Sequence, residues 1–471
     1  MKGFKLLGCA TAIMLVLSVP AVRQAQAQTP SWLSNAVIYC ANDEIFSTSG
    51  IPGVTAQLSR IKNLGVNTLW LMPIFQRGVA CTVDGISHPS YDSPYCIANL
   101  EGIDPTFGTP AELTTLVNTA HADGMKVILD MPINCTSWNN PLVMSNPDYY
   151  WHTDGNVNNV ASIAEGWGVD ADVAELDLYT NQYGAQTYIT NVCKYWQSNY
   201  GFDGFRFDAA DDPVGSGRSL PQSFAQTLYS DLKAVNSNFL DLGEEEDPSL
   251  ALAPYGLDYG WNMYNYGIVD AFTESNNAST LSYQWEYPYT ISNTSPAGMM
   301  HMNIQDDWDD ARDVNVLGGA AQAMAAACWD FTISGVPLLY NGMEVGNNTG
   351  GTDSHTQINW NGGGAATFTA LYTGLLSLRN NSGGALQQGT TTFETNSSAA
   401  VITYYRTGTN NQYYIEINTN GNTVTGTCNC PSGAAWTDVS PTGSPGGKSH
   451  ELPSTGDFSL KPYDFAIFHR S

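Results

Sequence analysis

Residues 200–212 read Tyr-Gly-Phe-Asp-Gly-Phe-Arg-Phe-Asp-Ala-Ala-Asp-Asp. Inside that stretch an apolar run, Gly204 to Phe207, carries Arg206 and ends on Asp208. An unpaired charge in a buried strand is costly. An arginine two residues from an acid, at the end of such a run, therefore points to a strand that delivers both groups to a mouth. There the guanidinium would hold the carboxylate ionised and oriented, which is what a covalent glycosidase nucleophile needs. Three more apolar runs end on acids: Asp130, Glu244 and the cluster Asp306 to Asp310. Parallel barrels carry their catalytic groups at the C-terminal ends of strands, and four such ends together are hard to obtain by chance.

The elements that would position these groups follow from hydrophobic pattern. Ala36 to Tyr39, Thr68 to Pro73 and Met125 to Asp130 are short apolar strands. Helical periodicity fills the gaps, with Leu58, Ile61 and Leu64 on one face of Gly53 to Leu64, and a second helix over Ala111 to Ala122. The alternation resumes with a helix over Tyr188 to Tyr195 and strands at Gly204 to Asp208 and Phe239 to Gly243. Weaker Leu257 to Gly260, then His301 to Ile304 and Val336 to Tyr340, bring the strands to eight. Continuous apolar strands alternating with helices mean a parallel sheet covered on both faces, and eight of them close into a (β/α)8 barrel. The pattern lapses at residues 138–172, predicting a subdomain inserted after the third strand. Past about residue 384, Thr, Asn, Ser and Gly with short strand-like runs predict a C-terminal all-β sandwich over 385–471. The barrel is then expected within residues 28–384.

Charge and cysteine usage narrow the partners. The chain holds 17 Lys and Arg against 44 Asp and Glu, for a net −27. Nucleic acid and anionic membrane surfaces would repel it, and a neutral substrate would not. Lys2 and Lys5 precede an apolar run from about Leu6 to Val22, and Ala25-Gln26-Ala27 fits a cleavage site, so residues 1–27 are expected to be a signal peptide. A secreted or periplasmic monomer is the expectation, with no membrane association after cleavage. Nine cysteines suit an exported protein. Cys81 and Cys96 flank one loop and are the first choice for a disulfide; Cys428 and Cys430 form either a local bridge or two free thiols.

Several of these segments, in order and spacing, resemble the α-amylase family, glycoside hydrolase family 13, from about Trp32 to Leu378. Ser93 to Pro105 and Phe107-Gly-Thr109 resemble the loop after that family's second strand. Asp130-Met-Pro-Ile-Asn-Cys-Thr136 resembles its Asp-x-x-x-Asn-His segment, and Val173-Ala-Glu-Leu-Asp177 its short motif before the fourth strand. Gly204-Phe-Arg-Phe-Asp208 resembles the nucleophile segment, Leu242-Gly-Glu244 the acid/base segment, and Asp309-x-x-Arg312 the Asn-His-Asp-x-x-Arg run. The resemblance implies a retaining hydrolase of α-glucosidic bonds. Asp208 would be the nucleophile, Glu244 the acid/base and Asp309 the transition-state stabiliser. Arg206 would orient Asp208, Tyr95 would stack on the sugar and Asp130 would brace the site. Asp306 and Asp307 are rivals to Asp309.

Cys135 and Trp308 stand where the family has sugar-binding histidines, and on that ground both join the expected substrate-binding set. Cys96 follows Tyr95 where the family has Asp, and Asp211-Asp212 replace a Lys-His pair. The resemblance also implies a structural Ca²⁺ on Asn134 and Asp172, with Asp170 as an alternative, and no organic cofactor. Among the aromatics of the insert, Trp138, Tyr149, Tyr150, Trp151 and Trp167 are read as subdomain packing before sugar platforms. Competing readings are a transglycosidase or isomerase on a disaccharide, a sugar-binding protein on the same scaffold, and a cysteine hydrolase built on Cys135.

Overall fold

The computed structural model describes residues 29–166, 172–180, 184–210, 220–244, 257–258, 263–275, 277–286, 299–350, 355–428, 436–442, 450 and 456–471. Eight parallel strands close into a barrel. In chain order they are β1 (Ile38–Ala41), β2 (Thr68–Leu71), β3 (Lys126–Met131), β4 (Gly204–Phe207), β5 (Leu240–Gly243), β6 (Leu257–Asp258), β7 (Met300–Asn303) and β8 (Val336–Tyr340). β8 pairs back onto β1, with Ile38 opposite Leu338. β1, β2, β4, β5 and β8 are buried at every position, because their outer face meets helices and their inner face fills the barrel. That double burial is why they read as unbroken apolar runs.

Helices Ile51–Leu64, Pro110–Ala122, Ala185–Tyr200, Gln222–Val235, Ala320–Thr332 and Ala365–Asn380 alternate with the strands. The second begins at a reciprocal cap: Thr109 Oγ1 accepts from the Glu112 N–H, and Glu112 Oε2 accepts from the Thr109 N–H at 2.8 Å. Ile51–Leu64 stops at Gly65, whose φ of 112° suits a residue without a side chain. The barrel strands fall within two residues of the sequence-derived spans. Helical segments Met263–Glu274 and Ser279–Glu286, between β6 and β7, went unread.

The insert is a small unit seated on β3. Strand Cys135–Ser137 pairs antiparallel with Val173–Glu175, and helix Leu142–Ser145 lies between them in sequence. Trp138 stacks on His88 at 3.8 Å, Tyr150 is buried and Trp151 meets Tyr179 edge-on. These three rings pack the subdomain; Trp167 lies outside the described residues.

The C-terminal region has a five-stranded antiparallel sheet, including Thr390–Glu394, Val401–Thr407, Gln412–Asn418 and Phe465–Arg470. A two-stranded sheet, Val424–Thr427 with Asp457–Leu460, covers one face. The alternation of the larger sheet divides its side chains between two cores. Ile402, Tyr404, Ile415, Ile417, Phe465 and Ile467 join the barrel core. Val401, Tyr414, Ala466 and Phe468 meet Phe458 and Leu460 of the smaller sheet.

One cysteine expectation is overturned. Cys81 and Cys96 are free thiols, as are Cys40, Cys135, Cys193 and Cys328. Cys96 is buried, its Sγ 3.3 Å from the Asp172 carbonyl oxygen, and it packs with Cys135 and Val173. Its side chain is thus engaged with the insert, and not with Cys81. Cys428 is disulfide-bonded, to a partner outside the described residues.

Candidate active site

Register builds the site before any side chain is considered. Arg206 on β4 lies directly opposite Asp130 on β3, and register partners in a parallel pair point to the same face. Asp208 and Glu244 each stand one residue past their strands. The ladder continues beyond the strand ends: the Glu244 N–H donates to the Phe207 carbonyl and the Ala210 N–H to the Glu244 carbonyl, both at 3.0 Å. Between them Ala209 adopts φ 44°, a left-handed conformation unfavourable for alanine. That turn aims the Ala209 N–H at Glu244 Oε2, 2.5 Å away.

Arg206 is the hub. It is fully buried and distributes its donors over three carboxylates. Nη1 donates to Asp130 Oδ1 at 3.0 Å and to Asp208 Oδ1 at 2.5 Å. Nη2 meets Glu244 Oε1 at 2.5 Å. Tyr95 Oη donates to Asp130 Oδ2 at 3.1 Å, fixing the carboxylate that braces the arginine. Three aromatic rings surround the guanidinium, with centroids 5.2 Å away at Trp308, 5.7 Å at Trp70 and 5.8 Å at Tyr95. Trp308 stands edge-on to Trp70 at 5.1 Å. A planar cation suits such a cage, whereas an ammonium would lose both the fork and the stacking. Asp130 is sealed behind the arginine. The Asp208 and Glu244 side chains keep 13% and 14% of their surface open to the mouth.

The acidic run after β7 separates into distinct roles. Asp306 is buried and bound by Arg312, with Nε at 2.9 Å and Nη2 at 2.6 Å from Oδ2. Asp307 Oδ1 accepts the backbone N–H groups of Asp309 and Asp310 at 2.9 and 3.2 Å, closing the turn. Asp309 is solvent-accessible in the concave mouth and lies within electrostatic reach of Glu244, Arg206 and Asp208. Asp307 is buried and feels Glu244 as well, whereas Asp309 combines exposure with reach to Glu244, Arg206 and Asp208. Trp308 is brought to the cluster as a wall of the arginine cage.

Four carboxylates, Asp130, Asp208, Glu244 and Asp309, thus face one guanidinium. Burial raises the Asp208 carboxyl to about 8, with Arg206 opposing and Glu244 and Asp130 adding to the rise. Burial likewise lifts Asp130 to about 6 against the pull of Arg206. Asp309 is raised by burial, then by Asp307 and Glu244. Arg206 remains charged: burial works against it, and the surrounding acids more than compensate. One cation cannot neutralise so many clustered acids, so the cluster retains a proton at pH values where isolated carboxyls have lost theirs. A site that must both attack as a carboxylate and donate as an acid needs that condition.

Other expected residues lie elsewhere. Cys135 is 3% exposed, packed with Cys96 and Val173 in the strand pair of the insert. Its side chain is turned into packing, so it presents almost no surface to a sugar. Asn134 and Asp172 are both buried, and Asp172 Oδ2 accepts the Tyr91 N–H at 3.3 Å. Both match calcium in donor type, an amide and a carboxylate oxygen. Asp170, like Asp211 and Asp212, lies outside the described residues. Glu44, Asp92 and His355 bring ligand atoms together at the rim, where Arg77 already bridges Glu44 and Asp92 at 3.1 Å each. Sequence reading missed Trp70, which looked like one more core residue of β2, and the Ala209 N–H. A tryptophan near the end of a barrel strand was the available signal for the first. Nothing in an alanine signals the second.

With this geometry in view, likeness to known proteins adds the family. The α-amylase catalytic-domain model matches residues 41–367. Alpha-amylase 3 of Dictyoglomus thermophilum is 25% identical over 359 residues, 71% of this chain and 69% of that protein. An α-glucosidase of Pediococcus pentosaceus is 27% identical over 212 residues, 39% of this chain and 36% of its own length. The debranching enzyme of Nostoc punctiforme superposes with a TM-score of 0.76 at 18% identity, covering 94% of this chain and 99% of that one, and so shares the fold. Family model, barrel and acid-bearing strand ends agree, and the chain belongs to the α-amylase family of glycosidases, glycoside hydrolase family 13.

Proposed function

We propose that this enzyme hydrolyses α-glucosidic bonds in glucans or oligosaccharides by double displacement. One observation carries the proposal: Asp208 and Glu244, at the ends of adjacent strands, occupy the two terminal nitrogens of one buried guanidinium. A retaining pair needs carboxyls about 5–5.5 Å apart, and a shared guanidinium keeps two acids near such a separation. Asp208 attacks the anomeric carbon while Glu244 protonates the leaving oxygen. Glu244 then takes a proton from water, whose oxygen displaces Asp208. Asp309 accepts hydrogen bonds from ring hydroxyls as the sugar flattens. Tyr95 presents its ring to the sugar, and Asp130 acts through Arg206. The relatives named as α-amylase and α-glucosidase support the α-glucosidic class.

The test uses purified protein with starch, maltooligosaccharides, isomaltose, sucrose and trehalose, alongside Asp208→Asn. Turnover lost at least about 10⁴-fold in the variant, with the first-formed product keeping the α configuration by NMR, is the expected result. Inverted product would remove the double displacement. Transfer to sugar in place of water would make the protein a transglycosidase. Export belongs to the same proposal, and N-terminal sequencing of protein recovered outside the cytoplasm should begin at Gln28.

A further inference from the structure

A second hollow lies on the flank of the loop that carries Tyr95, away from the acidic cluster. It measures about 420 Å³ and is lined by Gln76, Asn99, Asn139, Asn140, Leu142 and Tyr188, with Ala98 and Pro141. That is the size of a small-molecule pocket, room for a sugar unit or two. Its chemistry differs from the rest of this acidic chain: no lining side chain carries a formal charge.

The amides are held ready by the backbone. Gln76 and Asn99 are cross-strand partners of a two-stranded antiparallel pair, so two exposed carboxamides stand side by side. Asn99 Oδ1 accepts the Glu101 N–H at 3.0 Å. Asn139 Oδ1 accepts the Val79 N–H at 3.0 Å and the Ser137 hydroxyl at 2.8 Å. Asn140 Oδ1 accepts the Leu142 N–H at 2.9 Å. The three asparagine carboxamide planes are thereby pinned by their oxygens, and their NH2 groups are left to donate in set directions. Asn140 is 4% exposed, so its orientation is fixed by packing as well. The Tyr188 ring, tilted against Tyr149 at 6.0 Å, and Leu142 add an apolar wall.

Directed neutral donors beside an aromatic ring recognise a ligand rich in neutral acceptor oxygens with apolar C–H faces. A metal ion finds no carboxylate here and an organic anion finds no cation. We infer that this hollow is a second carbohydrate-binding site, one that holds a glucan chain without cleaving it. Preorganised donors lose little freedom on binding, which favours such a role. The inference rests on the glucan reading of the active site and adds a place on the surface where the same polymer is held.

The experiment counts binding sites. Maltoheptaose is titrated calorimetrically into the Asp208→Asn protein with and without Gln76→Ala/Tyr188→Ala. In the otherwise native enzyme the same pair is assayed on soluble maltotriose and on granular starch. Expected results are two sites reduced to one, unchanged maltotriose turnover, and a several-fold loss on granules. Equal stoichiometry in both proteins, with turnover retained, overturns the second site and leaves the catalytic reading standing. Absence of both turnover and binding overturns the catalytic reading, and this inference with it. Asn99→Ala, at an exposed position, is the second variant should the pair not fold, and it is expected to weaken the second site at least about fivefold; unchanged affinity would overturn the proposal.

Discussion

Arg206 shows how a buried charge becomes functional. Taken out of water it would be costly, but Asp130, Asp208 and Glu244 and a cage of three rings compensate it. Arg206→Lys should therefore lower kcat/KM at least about a hundredfold, about 2.7 kcal/mol, because an ammonium cannot serve all three acids at once. Steady-state kinetics checks this, and near-native activity would show that the fork is dispensable. Asp130 adds to the rise of Asp208. Asp130→Asn removes that negative charge, so the Asp208 carboxyl falls. The acidic limb of the kcat/KM profile, which in the proposed double displacement reports ionisation of Asp208, should move to lower pH. A limb that stays or moves up would contradict this electrostatic account.

At the scale of elements, β4 has no room to spare. A Cβ on Gly204 would approach the Leu240 carbonyl oxygen and Cβ to 2.7 Å and Ile128 Cγ2 to 2.9 Å. These atoms belong to the flanking strands, and backbone cannot swing aside. Gly204→Ala should cost about 1–3 kcal/mol of stability and displace Arg206 and Asp208 together. Thermal melting with a parallel activity assay checks it, and activity should fall further than unfolding accounts for. Asp203, just before β4, accepts from Lys126 Nζ at 2.8 Å and from the Val127 N–H at 2.9 Å, which ties the entry of β4 to β3. Register at one end of the strand thus serves chemistry at the other.

For the whole molecule, the excess of acid has a buried component. Burial pushes Asp43 and Asp241 each up to about 8 and raises Asp330 well above the ordinary range. Unfolded, these groups titrate near 3.9. The folded state therefore binds more protons between about pH 4 and 8, and stability falls with rising pH across that window. Each such group contributes about 1.4 kcal/mol per pH unit between its two pKa values. An opposing contribution acts at lower pH: burial tends to raise Asp104, but bonds from Thr106 and the Arg77 N–H overcome it and lower the carboxyl. Its stabilisation is lost as pH drops below about 4. Melting temperature should peak near pH 4–5 and decline toward pH 8, and Asp241→Asn should flatten the decline. A melting temperature that rises between pH 5 and 8 would contradict the burial of these acids.

What the sequence determined by itself was periodic or local. Apolar runs of four to six residues, separated by helical repeats, specify barrel strands because both faces are buried. An acid just past such a run is legible because chain order and space coincide there; Asp130, Asp208 and Glu244 were found that way. Tertiary structure decided what depends on approach between distant segments. It turned Cys135 into the insert's packing and left Cys81 and Cys96 as free thiols, since a thiol's partner is set by geometry that spacing does not encode. Among Asp306, Asp307 and Asp309 it separated the roles: Arg312 claims the first, two backbone N–H groups hold one oxygen of the second, and the third is left exposed beside the cluster. It also closed Trp70, Trp308 and Tyr95 around one guanidinium. A ring's identity says that it will be buried, and only the folded chain says against which charge.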